Sequence, residues 1–149
     1  MKTIEKLNYY LANLNVLFRN LQTYHWYITG TDFFIIHEKL EEFYNDTSVQ
    51  IDDVAERILA INGKPLASMT DYLKNSFLAE AEAKEIPAKK SLEAVKSDFE
   101  KMLELVKEIK VQAEKENDYG TSAQMDDYIR DYEKKLWMIG SFTVTQKVI

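Results

Sequence analysis

Apolar positions fall at helical spacing along most of this chain. From residue 3 to 28, Leu7, Leu11, Leu14, Leu17, Phe18, Leu21 and Ile28 recur mostly three and four apart, which predicts an amphipathic helix. Gly30 breaks it, and Thr31 or Asp32 is placed to cap the next. The second pattern runs through Phe33, Ile36, Leu40, Phe43, Ile51, Val54 and Ile58 to about Ala60. Asn62-Gly63-Lys64-Pro65 ends it, with Gly63 expected in a left-handed conformation and Pro65 unable to continue a helix. A short amphipathic piece over 69–77 follows, with Ser68 or Thr70 as its cap, and then a charged loop over 79–86. Pro87 suits the first turn of a third long helix. There Leu92, Val95, Phe99, Met102, Val106, Ile109 and Ala113 alternate strictly between three- and four-residue steps. Residues 117–120 read as a turn, and Met125, Ile129, Tyr132, Leu136 and Ile139 carry a fourth helix to near Gly140. The closing stretch SFTVTQKVI is left unassigned.

Four long helices and one short one predict an all-α four-helix bundle, with the short helix in the crossover between the second and third. That connection has about 25 residues, enough to travel the roughly 40 Å length of such a bundle. A single long crossover at this point is the connectivity of ferritin-like folds. The length of 149 residues fits one domain, and Gly 4 and Pro 2 leave few places to turn. There is no cysteine, which excludes disulfides and thiolate metal sites and is compatible with the cytoplasm. The N-terminal residues show no signal-peptide pattern, and no apolar run approaches the roughly 20 residues a membrane span needs. A net charge of −6 favours cations over nucleic acid or anionic membrane as partners.

The chemistry concentrates in residues 25–56. Both histidines, His25 and His37, lie there, and Asp52 and Glu56 close the stretch. Imidazole with carboxylate suits iron, zinc or manganese better than calcium or magnesium. His25 stands five residues before Gly30 and His37 seven after it, so an antiparallel hairpin places them at a similar height. His37 and Glu41 are i and i+4, as are Asp52 and Glu56. His37 and Asp52 are 15 positions apart, a net rotation of about 60° but a separation of about 22 Å along one helix. Metal bonds are about 2 Å long, so one straight helix cannot bring both to one ion. Two copies crossing antiparallel near Tyr44 and Asn45 can: His37 of one then faces Asp52 of the other, and Glu41 faces Ser48. The spacing also fits core or boundary histidines beside a solvated acidic face, and Tyr24, Trp26 and Tyr27 as core aromatics.

Two blocks of these residues resemble the Dps family, the miniferritins or DNA-binding proteins from starved cells. One is H-W-x-x-x-G-x-x-F-x-x-x-H with an acid four residues on, here His25 to Glu41. The other is D-D-x-A-E-R-x-x-x-x-x-G-x-P, here Asp52 to Pro65. The resemblance implies a hollow dodecamer built from twofold dimers, with a di-iron ferroxidase centre between subunits. It implies that His25 and His37 bind iron from one chain and Asp52 and Glu56 from the other. Glu41 would assist at a second, weaker iron position, and Trp26 would sit beside the site. Zinc or another divalent metal could substitute for iron. The implied activity is oxidation of Fe(II), preferably with hydrogen peroxide and with dioxygen as the other candidate oxidant, and storage of ferric mineral in the shell as protection against oxidative stress. The Glu-x-x-His motif of larger ferritins is absent, because Gln22 and Phe34 stand three before each histidine.

Two features depart from the family. Many DNA-binding members carry a Lys-rich tail, whereas only Met1, Lys2 and Thr3 precede the first helix pattern and one Lys follows Gly140. DNA binding is therefore expected to be weak or absent, and a structural nucleoid shell with little catalytic role is the alternative function. The family's acidic threefold pores lie near the start of the last helix, where Tyr119 and Ala123 stand in place of acids. Asp118, Asp126 and Asp127 are the nearby candidates, equally compatible with a solvated acidic turn.

Overall fold

The computed structural model describes residues 1–143. Along the chain come α1 (Thr3–Tyr27), β1 (Ile28–Thr29), α2 (Phe33–Ala60), α3 (Met69–Lys74), β2 (Ile86–Pro87), α4 (Ala88–Lys115) and α5 (Tyr119–Thr143). The helices form two hairpins, α1 with α2 and α4 with α5, and α1 packs against α4. The core is the set of residues that the helical spacing selects. Leu7, Leu11, Leu14, Leu17 and Leu21 of α1 are buried with Ile36, Leu40, Phe43, Val54 and Ile58 of α2. Val95, Phe99, Met102, Val106 and Ile109 of α4 meet them, with Met125, Tyr132 and Ile139 of α5. This is the expected ferritin-like four-helix bundle with a short extra helix in the crossover.

The crossover runs the full length of the bundle. At its start Gly63 lies against Ile4, and at its end Ile86 pairs in parallel with Ile28. Three asparagines of α1 hold it down between those points. Asn8 donates to Lys64 O at 3.0 Å and accepts from Leu66 N at 2.8 Å. Asn13 Oδ1 accepts from Ser76 Oγ at 2.9 Å and from the amides of Phe77 and Leu78 at 3.0 and 3.2 Å. Asn20 donates to Ala79 O at 2.9 Å and accepts from Ala81 N at 2.8 Å. Each satisfies backbone groups that an irregular segment cannot pair by itself.

Several details differ from expectation. Asn62, not Gly63, adopts the left-handed conformation (φ 67°). Gly63 is required for close approach instead, since a Cβ there would stand 2.8 Å from Ile58 Cγ2 and 2.9 Å from Ile4 Cγ2. Asp32 occupies the cap position of α2 without a side-chain capping bond, whereas Ser68 caps α3 by accepting from Asp71 N. Ile28 leaves α1 to join the two-residue pairing of β1 with β2. α5 continues through Gly140, because glycine costs a helix about 1 kcal/mol but does not stop it. Residues 144–149 of the unassigned closing stretch lie outside the described residues. Among the described residues, no helix is long and apolar enough to cross a membrane.

Candidate metal centre

The tight connection around Gly30 (φ 116°) turns the chain so that His25, near the end of α1, meets His37, early in α2. Their rings stack with centroids 3.6 Å apart and planes within 10°. Each ring also bonds the other's backbone: His25 Nδ1 to His37 O and His37 Nδ1 to His25 O, both 2.7 Å. The cause is partly local, since His25 O is among the last carbonyls of α1, which have no helical partner. A carbonyl only accepts, so both Nδ1 atoms carry hydrogen, and the lone pair that a neutral ring offers is then on Nε2. Phe33 stacks on His37 at 4.8 Å, and Tyr44 meets His25 edge-on at 5.3 Å. Glu41 Oε1 lies 3.9 Å from His25 Nε2.

Three of the five residues expected at a metal site thus gather at one end of the α1–α2 hairpin. Asp52 and Glu56 do not join them, because α2 is one unbroken helix and keeps His37 and Asp52 about 22 Å apart. Both carboxylates are exposed and adjoin each other. The charge of Asp52 and a hydrogen bond between the pair raise the Glu56 carboxyl above its ordinary value. Among the described residues no three His, Asp or Glu side chains converge closely enough to enclose an ion. Glu41, Asn45, Ser48, Asp52 and Glu56 instead form an exposed stripe along α2. Trp26 and Tyr27 are also exposed, unlike core aromatics, and Arg19 lies over the Trp26 ring at 5.8 Å.

The three acids near the start of α5 are all engaged by cations of their own chain. Asp118 accepts from Arg57 at 2.7 Å, Asp126 pairs with Lys110 at 2.9 Å, and Asp127 pairs with Arg130. In the sequence pattern Tyr44 is marked only as a crossing point and Phe33 only as an apolar helix position. Their contacts with imidazole carry no separate periodic signal, although Tyr44 lies three residues beyond Glu41 on the same face.

A family model described as a ferritin-like domain matches residues 4–147. DNA protection during starvation protein 2 of Bacillus anthracis is 42% identical over 142 residues, covering 95% of this chain and 96% of that protein. The chain belongs to the Dps family of ferritin-like proteins. Solved Dps structures agree. One from Bacillus brevis superposes with a TM-score of 0.92 at 33% identity, covering 95% of both chains. Another, from Vibrio cholerae O1, has a TM-score of 0.91 at 37% identity, covering 95% of this chain and 89% of that one. The Vibrio protein is itself called a member of a broad superfamily of ferritin-like diiron-carboxylate proteins. The Dps fold accounts for the crossover and the short α3 within it.

Proposed function

We propose that this Dps chain is a single-domain subunit of a hollow homododecamer that oxidises Fe(II), with hydrogen peroxide preferred over dioxygen, and stores the ferric product inside. Each site draws His25, His37 and Glu41 from one subunit and Asp52 and Glu56 from a twofold-related copy. The observation that carries this reading is the reciprocal histidine lock. It leaves two Nε2 lone pairs available at one place, with donor atoms that suit Fe(II), and that Zn(II) could also occupy. Its carboxylate complement lies on the same exposed stripe of α2 but out of reach within one chain. An antiparallel crossing of two such helices supplies it.

Iron is the substrate. Two Fe(II) ions each give one electron to hydrogen peroxide, which takes up two protons and becomes two water molecules. No unpaired electron is left on oxygen, so hydroxyl radical is not released. The protein's own part is to hold two ions together, to fix the imidazoles, and to balance cationic charge with Glu41, Asp52 and Glu56. Storage of the product protects the cell, which we place in the cytoplasm in keeping with the absence of cysteine. Direct DNA binding is weak, because phosphate contacts dominate such affinity and the chain carries −6. Plasmid retained in a gel at about 150 mM salt without divalent metal would contradict that part.

Anaerobic Fe(II) titration followed by peroxide tests the main reading. Saturation at two ions per site and consumption of two Fe(II) per peroxide are the expected results. A ratio of one Fe(II) per peroxide, with hydroxyl radical caught by a spin trap, would overturn it.

A further inference from the structure

Tyr44 touches the histidine pair without being one of its proposed metal donors. Three contacts fix its side chain. Its ring meets His25 edge-on, with centroids 5.3 Å apart and planes at 81°. On another side it meets Phe18 at 5.8 Å and 88°. Its hydroxyl donates to Glu41 Oε1 at 3.2 Å. That is the same oxygen that lies 3.9 Å from His25 Nε2. The Glu41 side chain is 55% exposed, and among the described residues no other hydrogen bond holds its carboxylate. A solvated glutamate samples many rotamers and loses that freedom when it binds a ligand. Here a partly buried phenol, braced by two rings, restricts it beforehand.

We propose that Tyr44 is a positioning residue: by holding Glu41 beside His25 Nε2, it prepares the second, weaker metal position before any ion arrives. The inference rests on the shared-site reading above and assigns to this chain a residue that acts on metal only through Glu41. Partners that orient a metal ligand typically change affinity ten- to a hundredfold. A single hydroxyl at 3.2 Å on an exposed carboxylate belongs at the lower end of that range.

Calorimetric titration of the assembled, metal-free protein with Zn2+ tests it without any turnover. The wild type should bind two equivalents per site, the second more weakly. Tyr44→Phe keeps the ring and its packing; it should leave the first equivalent unchanged and weaken the second about tenfold. In the Glu41→Gln background the same substitution should have no further effect, because the carboxylate through which it acts is already gone. An unchanged second equivalent in Tyr44→Phe overturns the inference and leaves the metal centre standing. A full tenfold further loss in the Glu41→Gln background also overturns it, since Tyr44 would then act through ring packing. A wild type that takes up no Zn2+ at this site overturns both.

Discussion

Tyr10 has one hydroxyl proton and two buried neighbours, Gln50 and Tyr132, within hydrogen-bonding reach. The amide oxygen of Gln50 only accepts, so Tyr10 donates there, and Tyr132, 2.7 Å away, donates to Tyr10. Burial raises both phenols well above their ordinary range, so they remain neutral donors. Tyr10→Phe would remove both of these buried hydrogen bonds, whereas Tyr132→Phe removes one and strands no donor. We expect losses of about 3 and about 1 kcal/mol respectively, read from urea unfolding at one fixed protein concentration. A larger loss for Tyr132→Phe would reverse the assigned order of donors. At this scale the sequence was legible where a residue type is rare: two histidines either side of Gly30, with an acid at helical spacing, marked out the cluster of His25, His37 and Glu41. It was not legible for Gly63, because Asn62 beside it also tolerates the left-handed region. The packing of Gly63 against Ile4 depends on a segment some 60 residues away.

Between elements, Arg57 of α2 reaches into the turn that starts α5. Its Nε donates to Thr121 Oγ1 at 3.0 Å and its Nη2 to Asp118 Oδ1 at 2.7 Å, while Asp118 also accepts from Thr121 N. A Cβ at Gly120 would lie 2.5 Å from that guanidinium nitrogen, so a side chain there would displace Arg57 from this arrangement. Burial raises the Asp118 carboxyl, but the bonds from Thr121 and Arg57 outweigh it, and the net direction is downward. A carboxyl lowered by folding stabilises the protein above its unfolded pKa of about 3.9, and that contribution fades as pH falls through the folded value. Asp118→Asn should therefore cost about 2 kcal/mol at pH 7 and show a shallower loss below about pH 4. Thermal midpoints at fixed concentration from pH 7 to 3 check this, and parallel curves for the two proteins would refute it. The helices themselves were legible because their apolar spacing is a local signal. The crossover's length was legible too, but its route was not. Asn8, Asn13 and Asn20 look like ordinary polar positions on α1 until the distant backbone they bind is in place.

At the scale of the assembled molecule, the shared-site proposal makes a quantitative demand. One variant carries His25→Ala and His37→Ala; the other carries Asp52→Ala and Glu56→Ala. Each alone should lose rapid iron oxidation, since every site lacks part of its donor set. Random co-assembly makes about half the dimers mixed, and one of the two sites in each mixed dimer is whole, so about one quarter of wild-type activity should return. Well-formed mixed shells with no activity would refute the proposal. The distance that prompted it was readable beforehand, because 15 residues of continuous helix fix a length whatever surrounds them. The stacking of the two imidazoles was not, since it follows from how tightly the Gly30 connection closes. That stacking has a consequence for traffic. The rings are aimed by the hairpin's own carbonyls and not by an ion. In the proposed cycle, losing the cargo therefore leaves the receptacle in shape. Under that proposal, a vessel emptied when iron is scarce keeps its imidazole donors aimed for the next ion, with no refolding of the hairpin in between.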